Sequence, residues 1–312
     1  MSRRRGLIWL LIGSCVGGCH YWPNHYLVYP RTAPAGVVTW SDDVDRDRLR
    51  VHLQGARPAG AGPFPAVLVH PEGGKTADDM KGIIWDLAGR GYFALAADYR
   101  RLIDGTYRRT LFAWRSQSDA TAIVDVLQAY PEVDAARVAA LGFSQGGVFS
   151  LLIAAHAAER IKAVVSYYPV TDFPHWLRED HDGWWQRRKY SVIRWYFRRE
   201  SGARTDAEFQ EMLRRASPYY VAESIRAPVL LVHGERDTTA PVEESQRMAE
   251  RLRILGKEVQ LLVVPNAVHI FNFRQEREAA LAWEATLQWL AEHLRQVRPE
   301  APDRNASERN VS

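Results

Sequence analysis

The sequence predicts an α/β fold: a mostly parallel central sheet with helices on both faces. Three observations carry that expectation. Apolar runs such as "VAALGF", "IKAVVSYYP", "APVLLVHG" and "VQLLVVP" recur along the chain. Stretches with apolar residues at helical spacing separate them. The runs are also continuously apolar rather than alternating, which marks strands covered on both faces.

The elements follow in order. Residues 1–18 have the pattern of a lipoprotein-type signal peptide: Arg3-Arg4-Arg5, an apolar run from Leu7, then Val16-Gly17-Gly18-Cys19. An apolar run of about thirteen residues is short of the ~20 that cross a bilayer as a helix. Cys19 sits in a lipobox-like context and is the expected lipidation site. Cys15, ending "IGSC", is a second candidate, and an uncleaved anchor is the alternative. Residues 19–36, rich in Pro and aromatics, form a linker, and 37–297 a single folded domain. Within that domain, Val51–Leu53 and Ala66–Val69 are strands, Met80–Arg90 a helix and Tyr92–Ala97 a strand. Ser116–Tyr130 places Ala120, Ile123, Val124 and Leu127 on one helical face. "VAALGF" is a strand and Val148–Ala158 a small-residue helix. Three further strands follow, with helix Glu243–Leu255 between the last two and helix Glu276–Leu294 closing the fold. The tail, 298–312, has the composition of a disordered segment. It carries glycosylation sequons at Asn305 and Asn310 that a bacterial lipoprotein would leave unused.

One segment breaks the alternation. Residues 171–218 carry Trp176, Trp184, Trp185, Trp195 and Phe197 among many arginines. That is too long for an ordinary connection and suggests a lid-like insertion. Its tryptophans either wall an apolar substrate pocket or pack onto the domain core.

Composition narrows the function. Forty-one basic against 37 acidic residues leave only +4, no helix carries a continuous basic stripe, and no zinc-finger or RNA-binding spacing occurs. A nucleic-acid partner is therefore not expected. "DFPHWLREDHD" gathers Asp172, His175, Glu179, Asp180, His181 and Asp182, but at no recognisable zinc spacing, so it is taken as a solvated loop or lid. Neither a metal nor a cofactor is expected. Gly74-Lys75-Thr76 resembles the end of a phosphate-binding loop, yet the first glycine of that motif would have to stand where Val69 does.

The chemistry is carried by "LGFSQGG". Gly142-Phe143-Ser144-Gln145-Gly146 fits G-x-S-x-G, in which a serine sits on a sharp strand-to-helix turn. Glycine is needed at 142 and 146 because side chains there would strike neighbouring backbone. An apolar strand precedes the motif and a helix follows it, as it requires. An acid and a histidine then follow at later strand ends: Asp237 in "VLLVHGERD" and His269 in "VQLLVVPNAVH". The order Ser, Asp, His is that of α/β-hydrolases. His269 would take the Ser144 proton, and Asp237 would fix the imidazole's tautomer and stabilise its charged form. Asp172 is a rival acid at another strand end, while Asp98 and His233 are taken as structural.

With these motifs the chain resembles an α/β-hydrolase of the dienelactone hydrolase-like group, and also the catalytic domains of prolyl oligopeptidase-type enzymes. The likeness covers roughly residues 37–294. It rests on "VLVHPEGG", "LGFSQGG" and the stretch from "APVLLVHGERD" to "NAVHIF". Dienelactone hydrolases proper use a cysteine nucleophile, whereas Ser144 stands here, so a serine esterase is favoured over a lactone-specific enzyme. The resemblance also implies an oxyanion hole from the backbone N–H groups of Glu72 and Gln145, with Lys75-Thr76 incidental. The expected activity is cleavage of a small-molecule carboxylic ester by an enzyme held at the bacterial cell envelope through its N-terminal lipid. An oligopeptidase-type peptidase and a non-catalytic binding lipoprotein are the alternatives. The sheet begins near Val37 and closes by Leu294, which leaves the 171–218 segment as the sole expected insertion.

Overall fold

The computed structural model describes residues 26–46, 49–103, 106–109 and 117–294. The expected signal, Cys15, Cys19 and the 298–312 tail lie outside these residues. Among the described residues nine strands build one sheet: β1 Val37–Arg46, β2 Leu49–Pro58, β3 Phe64–His70, β4 Phe93–Ile103, β5 Thr106–Arg109, β6 Val133–Phe143, β7 Ala163–Tyr167, β8 Val229–Gly234 and β9 Val259–Val264. Their spatial order is β1-β2-β4-β3-β6-β7-β8-β9, with β5 paired to β4. β1–β2, β2–β4 and β4–β5 are antiparallel, and every pair from β4 through β3 to β9 is parallel.

The helices between and after the strands are α1 Lys81–Gly89, α2 Gln117–Gln128, α3 Gln145–His156, α4 Phe173–Trp176, α5 Trp184–Ser201, α6 Asp206–Arg215, α7 Glu243–Ile254 and α8 Glu276–Leu294. Successive strand residues point to opposite faces, so each central strand feeds two cores. Ala66, Leu68, Val138, Ala140, Val229 and Leu231 pack beneath α2, α3 and α7. Their neighbours Val67, Val69, Ala139, Leu141, Leu230 and Val232 pack beneath α1 and α8. This double burial is why the strands are continuously apolar.

Two regions show more than the sequence suggests. The end of the aromatic segment taken as a linker lies on the domain: Tyr29 is buried, its ring edge-on to Trp283 at 5.0 Å and near Phe273. The 171–218 segment is largely helical, comprising α4, α5 and α6. Thr205 and Glu208 form a capping box on α6, and Gly202 ends α5 in the left-handed conformation at φ 70°. Phe173, Trp176, Tyr190, Ile193, Phe197, Phe209 and Leu213 make a third apolar cluster against Val148 and Leu152 of α3. Trp184, Trp185 and Trp195 lie outside it, 60%, 77% and 51% exposed. Trp176 thus packs inward, whereas these three lie on the surface.

Candidate active site

Parallel strands deliver their C-terminal ends to one edge of the sheet, and there the predicted residues meet. Ser144 directly follows β6 and has φ 50° and ψ −112°, a conformation seldom taken by a residue with a side chain. Neighbouring backbone enforces it. A Cβ on Gly142 would lie 2.0 Å from the Gly146 carbonyl oxygen, and one on Gly146 would lie 2.1 Å from that of His70. Ser144 N–H donates to the Tyr167 carbonyl at 2.9 Å, tying the turn to β7.

Asp237 follows β8 by three residues and His269 follows β9 by five. Ser144 Oγ lies 3.1 Å from His269 Nε2, and His269 Nδ1 lies 2.5 Å from Asp237 Oδ2. The other Asp237 oxygen accepts the N–H groups of Thr239 and Ala240 at 2.8 and 2.9 Å. Arg236 N–H donates to the Ala267 carbonyl at 2.8 Å, joining the acid and histidine loops. Burial alone would raise the Asp237 carboxyl. The charge of His269 and hydrogen bonds from His233 and His269 outweigh it and hold the group well below the usual carboxylate range. His233 is fully buried, its Nε2 2.8 Å from the Ala240 carbonyl and 3.5 Å from Asp237 Oδ2. It braces the acid as well as the strand end. Sequence reasoning also missed Tyr168, whose ring stands edge-on to His269 at 4.8 Å. Tyr168 donates to Asn272, and its φ is 38°. No spacing rule marks that contact in the sequence.

Asp172, the rival acid, is engaged elsewhere. It accepts from His175 N–H as the cap of α4, from Tyr220 at 3.2 Å and from Arg247 at 2.9 Å. The other groups of "DFPHWLREDHD" are likewise dispersed. His175 pairs with buried Glu244, Glu179 with Arg194 and Asp180 with Arg178, while His181 stacks on Tyr190. Asp98 accepts Ala77 N–H at 3.2 Å.

At Gln145, next in the chain to Ser144, a small cavity is lined by Glu72, Lys75, Asp98, Tyr99 and Phe149, among others. It joins the turn after β3 to the start of α3: a Cβ on Gly73 would meet Gln145 Oε1 at 3.3 Å. Glu72 and Gln145 are therefore brought together beside the serine, and the first turn of α3 favours negative charge there. Thr76 is a helix cap bonded to Asp79, and Lys75 lines the cavity. The Glu72 side chain is buried, which pushes its carboxyl up to about 7 against the pull of Lys75 and Arg274.

Comparison with known proteins identifies the family and the fold. The profile of the Dienelactone hydrolase family matches residues 53–294. The chain belongs to that family. It is 28% identical over 230 residues to "Uncharacterized peptidase YtmA" of Bacillus subtilis strain 168, covering 73% of this chain and 85% of that one. Among solved structures it resembles an acylaminoacyl peptidase of Pyrococcus horikoshii at TM-score 0.66 and 20% identity, covering 85% of this chain. It spans only 43% of the length of that peptidase. The thermophilic esterase Est2 of Thermogutta terrifontis matches at TM-score 0.59 and 21% identity, over 83% of this chain and 94% of the esterase. The fold is that of the α/β-hydrolases, and the family is one of hydrolases.

Proposed function

We propose that the protein is a serine hydrolase that cleaves carboxylic esters through an acyl-enzyme, with Ser144, His269 and Asp237 as its triad. The observation that supports this most is the unbroken chain of contacts from Ser144 Oγ through His269 to Asp237, set beside a cavity flanked by Glu72 and Gln145. In this reading Ser144 Oγ attacks the ester carbonyl carbon as its proton passes to His269 Nε2. Asp237 holds the ring so that Nε2 faces the serine, and stabilises the imidazolium. The tetrahedral oxyanion sits against the backbone N–H groups of Glu72 and Gln145. Collapse expels the alcohol, which takes the proton back from His269. Water then attacks the acyl group on Ser144 by the same route and releases the acid.

Peptidase-named relatives motivate a second reading, cleavage of peptides. Leaving-group chemistry favours the ester. An amine leaves poorly and must be protonated in place, which demands more remote binding to align it. A matched ester and anilide of the same short acyl group separate the two: the ester is expected to turn over far faster, and comparable rates would decide for the peptidase. We further propose lipidation at Cys19 and residence at the cell envelope, on the strength of the lipobox-like "VGGC". No helix among the described residues is long and apolar enough to cross a membrane. Cys19→Ala should leave the precursor unprocessed while Cys15→Ala is still membrane-bound, read by mass spectrometry of the mature N-terminus.

A further inference from the structure

Helix α5 buries one face and turns another outward. Tyr190, Ile193 and Phe197 are buried in the third apolar cluster. Trp184, Arg188, Trp195 and Arg199 are exposed and follow one another at steps of four, seven and four residues. At 3.6 residues per turn these four fall within roughly 60° of arc, on the side of the helix opposite that cluster. Along this face Trp184 meets exposed Trp185 edge-on at 4.4 Å, and the Arg199 guanidinium lies over the Trp195 ring at 5.7 Å.

Charge is concentrated on the same segment. From Trp184 to Arg204 there are seven basic residues against Glu200 alone, a local +6 in a chain whose total is only +4, although Arg194 and Arg198 are paired with Glu179 and Asp206 just outside this stretch. The remainder of the molecule is therefore slightly negative. Exposed tryptophan rings are poorly served by water but well served by a bilayer interface, where an amphipathic ring sits at headgroup depth. Arginine complements them by binding phosphate through two N–H groups at once. A second copy of the chain fits this strip badly, because a two-fold contact would bring two such cationic faces together.

We propose that the outward face of α5 docks on the headgroup layer of an anionic phospholipid bilayer, with Trp184 and Trp195 entering the interface and Arg188 and Arg199 engaging lipid phosphates. The contact is separate from any acyl chain at Cys19. It would place the helical insertion, and with it one wall of the active-site edge, against the membrane.

The test uses the full chain carrying Cys19→Ala throughout, so that no acyl chain contributes. Partitioning is measured onto vesicles of phosphatidylcholine alone and of phosphatidylcholine with phosphatidylglycerol. The N-terminal apolar run is common to every variant and cancels in the ratio. Binding should strengthen with phosphatidylglycerol. Each arginine contributes roughly fivefold on an anionic surface, so Arg188→Gln with Arg199→Gln should weaken binding roughly 25-fold. Trp184→Gln with Trp195→Gln should weaken binding to both lipids. Melting temperature and hydrolysis of a soluble ester should stay at parental values. If both pairs partition as the parent does, the proposal is overturned. It is equally overturned if the parent sediments as a dimer without lipid and Trp184→Gln with Trp195→Gln dissolves that dimer. Should the glutamine variants melt early, W184F with W195F keeps the ring bulk and carries the test. Quenching of tryptophan emission by brominated phosphatidylglycerol must then fall relative to the parent, and equal quenching overturns the docking.

Discussion

At the scale of single residues, Ser144 owes its position to what cannot be placed around it. Gly142 and Gly146 leave no room for a Cβ, and the positive-φ turn between them aims Oγ at His269. The two candidate acids then make opposite predictions. Asp237→Asn should leave the fold intact but favour the wrong imidazole tautomer, lowering kcat by about 10⁴-fold, as such changes do in serine hydrolases generally. Asp172→Asn should loosen the contact with Arg247 and leave kcat close to parental. Steady-state kinetics on one ester decides, and the reverse outcome would transfer the acid's role to Asp172. Glu72 carries a different prediction. Its folded-state carboxyl is held at about 7, above the ordinary 4.5, so folding favours its protonated form. Its contribution to stability is full below about 4.5 and is lost as pH rises through about 7. That window corresponds to about 3 kcal/mol. Glu72→Gln cannot ionise, so its urea midpoint should fall less than the parent's between about pH 5 and about pH 8. Parallel curves for the two proteins would show that Glu72 ionises freely in the folded state.

At the scale of elements, the helical insertion does more than cover the sheet edge. Trp176 Nε1–H donates to the Thr239 carbonyl at 3.1 Å and Lys189 Nζ to the Thr238 carbonyl at 2.8 Å, so α4 and α5 grip the turn whose N–H groups cap Asp237. Trp176→Phe keeps the ring in its cluster but removes that donor. It should cost roughly 1 kcal/mol of stability and lower kcat with little change in KM. A stability loss with kcat unchanged would reduce the insertion to a structural support. Little of this was legible in the sequence. The tryptophans of the insertion announced something unusual, but periodicity alone could not say which would face the core. Trp176 sits on a single-turn helix, too short to show a pattern. The strip on α5 emerges only once Tyr190, Ile193 and Phe197 fix which side is inward.

At the scale of the whole molecule, the readable parts were those buried from both sides. β3, β7, β8 and the second half of β6 are apolar through their centres apart from Ser166, because two cores claim alternate residues. β9 was also legible, although it is only partly buried. Of β1 only the start near Val37 was legible, because the strand lies at the sheet edge and "WSDDVDR" carries the polar residues that a solvated edge tolerates. The docking of Tyr29 was equally hidden, since its partners Phe273 and Trp283 lie more than 240 residues away in the chain. The site itself was legible because strand order converts sequence order into proximity. Residues that follow β3, β6, β8 and β9 must converge on one edge when those strands run parallel. That convergence has catalytic meaning only if Ser144 is nucleophilic in the folded protein, and one measurement addresses it directly. A fluorophosphonate probe is added to the parent and to Ser144→Ala, and the adduct is located by peptide mass spectrometry. The parent should gain a single covalent adduct on the peptide containing Ser144, and Ser144→Ala, with an unchanged melting temperature, should gain none. An adduct that persists in Ser144→Ala, or a folded parent that never reacts, would contradict the assignment.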